Sequence, residues 1–337
     1  MWIEPTVSGE FPMKAVVYEK YGGPEVLKLT EVEKPEPGEG EVLVRTRAVS
    51  VNSWDWDLLT GKPFIVRMGG LFRPGIRILG ADIAGVVEKV GSDVNKFKVG
   101  DEVFGDLSGE KWGGFAEYVA AKEGSLESKP DFISFQDAAA IPQAGVLALQ
   151  GIVDYGDLQP GQKVLINGAG GGVGTFAIQI ARSIGADVTG VDSGKKLELM
   201  KSAGADHVID YRKDDFTRRG MEYDLIMDVI AKRTIRSYRR ALKENGQCIL
   251  VGGKLHLLFA SFLIGSFGRK KIKLLIHKQN EGLDRLLKFY QSGKIKPVID
   301  SHYYLEDVPE AMRKIGRGMV KGKIVISIDR SEVTTIR

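Results

Sequence analysis

The spacing of apolar positions changes near residue 134 and divides the chain into two kinds of fold. From residue 13 to about residue 119, short apolar or alternating runs at 15–18, 42–49, 83–90, 102–104 and 115–119 are separated by turn-rich stretches such as Gly22-Gly23-Pro24 and residues 35–40. Closely spaced strands with no helices between them predict an antiparallel, barrel-like β domain. Helix-spaced runs then appear at 135–140 and 145–155. They lead into strand 164–167, helix 173–184, strand 187–191, helix 195–203, strands 207–209 and 223–228, helix 233–242 and strand 247–251. This alternation predicts an α/β fold with a doubly wound parallel sheet. Residues 255–267 break the rhythm, being apolar nearly all round, and are followed by the basic run 269–273. The spacing predicts a buried or interface helix there, with a membrane-surface segment as the other reading. A helix at 283–290, a strand at 297–300, a helix at 308–315 and a final strand at 322–328 are expected to return to the first domain.

Composition adds limits. The chain has 337 residues and a formal net charge of +4, too slight to predict nucleic acid binding. Its single cysteine, Cys248, leaves no intrachain disulfide and no cysteine-rich zinc site, which makes a reducing cytoplasm the simplest compartment. No apolar run reaches the roughly 20 residues needed to span a bilayer. Residues 1–12 precede a second methionine, Met13, and are treated as an extension.

The stretch with the clearest chemistry is Gly168-Ala169-Gly170-Gly171-Gly172-Val173-Gly174, between an apolar run and an amphipathic helix. A strand, a glycine-dense turn and a helix start in that order present backbone N–H groups to a pyrophosphate. The next strand ends in Asp192, roughly 20 residues on, where a carboxylate would bond the adenosine ribose of NAD. The Ser193 hydroxyl and the ammonium groups of Lys195 and Lys196, directly after it, would instead favour the 2′-phosphate of NADPH. Both cofactors remain open on these residues.

The turn, the segment Gly80-Ala81-Asp82-Ile83-Ala84-Gly85 with Val99-Gly100-Asp101-Glu102-Val103, and the ending Gly322-Lys323-Ile324-Val325 resemble the medium-chain dehydrogenase/reductase superfamily, over about residues 13–328. The branch resembled is that of the zinc-free, zeta-crystallin-like quinone oxidoreductases. The resemblance implies an N-terminal extension at 1–12, a GroES-like catalytic domain at 13–143, a Rossmann NAD(P)-binding domain at 144–281 and a return to the catalytic domain at 282–337. It also implies a homodimer and a preference for NADPH. Cofactor contacts are implied at Gly168, Ala169, Gly171, Gly172, Val173, Gly174, Asp192, Ser193, Lys195, Tyr211, Val229, Gly252, Gly253 and Lys323.

In the zinc alcohol dehydrogenases of the superfamily, the metal ligands fall where this chain has Asn52, Ala81-Asp82 and a position near Gln143. One carboxylate does not make a three-ligand site, so no zinc is expected. Without a Lewis acid, hydride transfer suits quinones and α,β-unsaturated carbonyls, which delocalise the added charge; alcohol oxidation needs a stabilised alkoxide. The expected function is therefore NAD(P)H-dependent reduction of a small-molecule quinone or enone. The alternatives are an NAD(P)H-binding protein with little turnover, of crystallin, RNA-associated or membrane-associated type, and an alcohol dehydrogenase. Asn52, Asp55 and Gln143 are the catalytic candidates: Asn52 as an amide donor to a carbonyl or as a residue bonding its own backbone, Asp55 as a proton relay or a cap, Gln143 as a group facing the nicotinamide or a cap. Trp54 and Trp56 are read either as stacking surfaces or as core.

Overall fold

The computed structural model describes residues 12–253, 265 and 268–329. Residues 1–11 of the 1–12 extension, and all of the helix expected at 255–267 except residue 265, lie outside the described residues. The chain divides into two compact units, one formed by Met1–Ala139, His302–Gly318 and Val325–Arg337, the other by Ala140–Ser301 and Met319–Ile324.

The first unit is built on strands. β1 (Met13–Val17) and β2 (Lys28–Val32) form an antiparallel pair. β3 (Glu41–Val51), β4 (Asp82–Val90), β5 (Glu102–Asp106), β6 (Tyr118–Lys122) and β7 (Glu127–Ser128) pair antiparallel as β3–β4–β5–β7, with β6 on β3. Apolar positions of β3 and β4, such as Val42, Val44, Ile83 and Ala84, are wholly buried. The strand expected at 115–119 begins later, at Tyr118. The preceding pair Gly113-Gly114 turns the backbone so that Phe115 N–H donates to Leu79 O (2.8 Å) instead of to a neighbouring strand of that sheet. Helix α1 (Ser53–Thr60) follows β3 directly.

After α2 (Phe135–Ala140), the second unit opens with α3 (Pro142–Leu149), which starts earlier than the pattern suggests because Pro142 occupies a first-turn position where no N–H is needed. Residues 150–154 continue it as a wider π turn. β8 (Lys163–Asn167), α4 (Gly172–Ile184), β9 (Asp187–Asp192), α5 (Leu197–Ala203), β10 (His207–Asp210), β11 (Tyr223–Asp228), α6 (Ile235–Ala241), β12 (Leu242–Leu250) and β13 (Lys271–Leu274) follow. The sheet order is β10-β9-β8-β11-β12-β13, every pair parallel. α4 buries Phe176, Ala177, Ile178, Ile180 and Ala181, the i, i+1, i+4 face of an amphipathic helix. The basic run 269–273 ends in β13, where Ile272 is wholly buried.

The strand order reverses at β8, since β9 and β10 extend to one side of it and β11, β12 and β13 to the other. In a doubly wound sheet, ligands bind at the carboxyl ends of the strands beside that reversal. Asn167, Asp192, Asp228 and Leu250 end four adjacent strands there, with Asn167 in register with Asp228 and Asp228 with Leu250. The remaining elements are α7 (Leu283–Gln291), β14 (Ile299–Tyr304), α8 (Val308–Gly316) and β15 (Lys323–Ser327), and β14 and β15 carry the chain from one unit to the other.

Candidate active site and cofactor turn

The turn after β8 is pinned by its own backbone. Gly168 and Ala169 N–H both donate to Val191 O (2.9 and 3.1 Å), and Gly171 N–H donates to Gly168 O (3.1 Å). Gly171 is the N-cap of α4, and no side chain caps that end. The N–H groups of the first turn and the positive end of the helix dipole are therefore set up to receive an anion. Gly174 packs so closely under the turn that a Cβ there would lie 2.3 Å from Gly168 O and 2.4 Å from Ala169 Cα. Val173 is partly buried on the first turn of α4.

The ends of four strands follow the same edge of the sheet as this turn. At the end of β9, Asp192 accepts hydrogen bonds from Gly170 N (3.0 Å) and Ser193 N (2.7 Å). Lys196 Nζ lies 3.6 Å from the same carboxylate, and its aliphatic stem packs over Gly170. Residues 194–196 form a 3-10 turn, which leaves Lys195 exposed and brings Lys196 inward. Tyr211 follows β10, half-exposed, with its N–H on Asp192 O (3.1 Å) and the Arg212 guanidinium beside its ring. At the end of β11, Val229 N–H donates to Asn167 O (3.0 Å), and its side chain lies against Gly168. Gly252 and Gly253 follow β12 with φ of +79° and +126°. Gly322 N–H donates to Gly170 O (3.1 Å), which lays the stem of Lys323 alongside Gly172. Thus the turn residues, Asp192, Ser193, Tyr211, Val229 and Lys323 are brought together, whereas Lys195 is exposed.

Beneath the turn lies Asp228, wholly buried. Its Oδ1 accepts from Asn167 Nδ2 (2.9 Å), Ile230 N (2.8 Å) and Ala231 N (2.7 Å), and its Oδ2 from Tyr238 Oη (2.8 Å). Burial, and after it this carboxylate, pushes the Tyr238 phenol far up, so it remains a donor. Burial likewise pushes the Cys248 thiol up, with the charge of Asp228 adding to it.

In the first unit, Asn52 is the N-cap of α1. Its backbone N–H donates to Asp55 Oδ2 (2.7 Å), and Asp55 Oδ1 accepts from Gly80 N (2.8 Å). Asp55 is wholly buried, so its carboxylate ties the helix start to the Gly80 turn. The Asn52 amide donates to Asp82 Oδ2 (3.0 Å), which also accepts from Ser50 Oγ (3.1 Å). Asp82 therefore sits in a hydroxyl–amide–carboxylate cluster. Among the described residues no group of three or more His, Cys, Asp or Glu side chains is placed to hold a metal ion. Trp54 is exposed and stacks on Trp112 (ring centroids 6.4 Å, interplanar 9°), whereas the Trp56 ring covers Gly316 of α8. Gln143 belongs to the second unit, buried at the start of α3. A groove of about 1570 Å³ in the first unit, lined in part by Tyr18, Glu31, Phe72 and Tyr118, shares no residue with this cluster.

Asp57, on the outer part of α1, has its carboxyl pushed from 3.8 to about 6 by burial. A carboxyl raised in the folded state binds more protons there than in the unfolded chain between those values, so its contribution to stability falls as pH rises from about 4 to about 6. Asp57→Asn is expected to stabilise the protein at pH 8 by about 1–2 kcal/mol, after discounting for solvent screening, and to be neutral near pH 4. Denaturant unfolding of both forms at the two pH values checks this.

Two family models match the chain: "Alcohol dehydrogenase GroES-like domain" over residues 38–131 and "Zinc-binding dehydrogenase" over residues 203–326. The chain is 33% identical to the chloroplastic quinone-oxidoreductase QR1 of Triphysaria versicolor, over 93% of this chain and 98% of that protein. It is also 33% identical to the chloroplastic NADPH-dependent alkenal/one oxidoreductase of Arabidopsis thaliana, over 93% of this chain and 79% of that protein. The solved structure of the quinone oxidoreductase from Coxiella burnetii superposes with a TM-score of 0.86 at 29% identity, covering 95% of this chain and 100% of that one. The chain belongs to the medium-chain dehydrogenase/reductase superfamily, in its quinone oxidoreductase branch. The expected pairing of a GroES-like β domain with a Rossmann domain is borne out. No helix among the described residues is long and apolar enough to cross a membrane.

Proposed function

We propose that the chain is an NADPH-dependent, zinc-independent reductase of quinones or α,β-unsaturated carbonyls. The observation that carries the cofactor is the uncapped start of α4 beside Lys196. The donor set fits a dinucleotide phosphate: the first-turn N–H groups would hold the pyrophosphate, and Ser193, Lys196 and Tyr211 would hold the adenosine end. Bound there, a reduced nicotinamide supplies the hydride. The chain's part is to bind, orient and stabilise. Asp192 shares its charge with Lys196, so its repulsion of a 2′-phosphate is partly offset. Asn52, held by Asp82, and the exposed face of Trp54 are the groups of the first unit proposed to meet a planar acceptor. Quinone and enone acceptors are supported by the relatives' activities. The buried, lone Cys248 agrees with a reducing cytoplasm, and a homodimer belongs to the same reading.

The test is a panel of quinones and enones with NADPH and NADH, run alongside metal analysis. Oxidation of NADPH by at least one acceptor in metal-free protein is expected. Tight cofactor binding with no acceptor reduced overturns the reading in favour of a binding protein, and activity that requires zinc overturns it in favour of an alcohol dehydrogenase. Lys196→Ala should lower kcat/KM for NADPH about 10- to 100-fold, the worth of one charge-assisted phosphate contact, and that for NADH less than about threefold. Steady-state kinetics with both cofactors reads the difference.

A further inference from the structure

Five of the fourteen exposed large hydrophobic side chains among the described residues fall within nine consecutive positions: Phe64, Ile65, Met68, Leu71 and Phe72. Met68 is 85% and Phe72 86% exposed, values far from those of side chains that pack on their own domain. The loop is nonetheless anchored at its base. Tyr21 Oη donates to Gly70 O (2.5 Å), Arg67 Nε donates to Gly61 O (3.0 Å), and the Arg67 guanidinium lies 4.5 Å over the Tyr21 ring. A fixed base with bulky apolar tips in water is a costly arrangement unless the tips are covered.

We propose that the loop at residues 62–77 docks the first unit onto an anionic lipid surface. Charge selects this occupant. Lys62 and Arg73 flank the apolar tips, Arg67 adds its charge at their base, Arg77 is paired with Glu19 (2.7 Å), and no Asp or Glu occurs between Leu58 and Ala81. A second copy of the chain across a two-fold axis would set these cations against their own counterparts, with no acid in the loop to compensate. Interfacial binding combines insertion of apolar tips among acyl chains with attraction of cations to acidic headgroups, and it needs no spanning helix.

Sedimentation with vesicles of phosphatidylcholine, with and without phosphatidylserine, tests the proposal on the full chain. The protein is expected to sediment with the phosphatidylserine vesicles and to be released by high salt. Arg73→Gln should weaken binding about fivefold, and Met68→Glu with Phe72→Glu should lower it more than tenfold. Both variants should keep the parent's unfolding midpoint and NADPH affinity, which separates lost docking from lost folding. Absence of binding to phosphatidylserine vesicles, or binding that survives the double variant, overturns the proposal. A parent dimer that becomes monomeric in the double variant, with no vesicle binding by the parent, overturns it as well and assigns the tips to a second copy.

Discussion

Gly174→Ala should abolish cofactor binding, raising the NADPH dissociation constant by two orders of magnitude or more, while Gly171→Ala should leave the fold intact. The added methyl at Gly174 would sit 2.3 Å from Gly168 O and 2.4 Å from Ala169 Cα. Both are backbone atoms, so relief requires the turn to lift off α4. That movement separates the hydrogen bonds of Gly168 and Ala169 to Val191 O and swings the N–H groups away from the anion they are aimed at. A methyl at Gly171 meets only Gly168 O at 3.4 Å, an ordinary contact. Any loss of affinity in Gly171→Ala with an unchanged unfolding midpoint therefore reports a clash with the bound cofactor and not with the protein. Fluorescence titration with NADPH and thermal unfolding of both variants check the pair. A Gly174→Ala protein that binds NADPH as well as the parent would remove the turn from the cofactor site.

The turn was legible in the sequence because its chemistry is local. A strand, a run of glycines and a helix are contiguous, and Asp192 stands at a fixed distance along the next strand. What surrounds it was less legible, for identifiable reasons. Lys195 and Lys196 are adjacent cations, and which one turns inward depends on the 3-10 turn at 194–196 that precedes α5. The apolar pattern extends α5 back to Lys195, which hides that phase; the four-residue spacing of Asp192 and Lys196 is the signal that carries it. The sequence leaves Asn52 as either an amide donor to substrate or a residue bonding its own backbone, and Asp55 as either a proton relay or a cap. The structure places them at N-cap and N3 of α1 as a capping box, for which the three-residue spacing is the signal. Asn52 was not separable from its role beside Asp82, because Ser50, Asn52 and Asp82 meet only once β3 and β4 are paired in register, with Ser50 opposite Asp82. Tertiary pairing, absent from any local window, also decides Asp228: an Asp ending an apolar strand reads as a surface residue until Asn167 arrives beside it from β8. The α/β architecture, by contrast, depends on periodicity summed over many residues and was recovered almost element for element.

Asp228→Ala is the second substitution with a large expected cost, about 3–5 kcal/mol of stability. It leaves Asn167 Nδ2, the N–H groups of Ile230 and Ala231, and the Tyr238 hydroxyl buried without their acceptor. Water does not readily replace a carboxylate at a position with no solvent exposure. Asp228→Asn separates charge from hydrogen bonding. Its carbonyl oxygen can keep the three donors on the Oδ1 side, and its new amide can donate to the Tyr238 oxygen, since a hydroxyl accepts as well as donates. The expected cost is about 1 kcal/mol. The same contrast extends to function, because Asp228 orients the Asn167 side chain on one side of Gly168 and residues 229–231 on the other. NADPH affinity should therefore follow stability: nearly unchanged in Asp228→Asn, and weakened at least tenfold in whatever folded fraction of Asp228→Ala remains. Guanidinium unfolding and NADPH titration measure both. Equal destabilisation by Asn and Ala would show that the charge itself, and not the four donated bonds, holds the end of β11 in place.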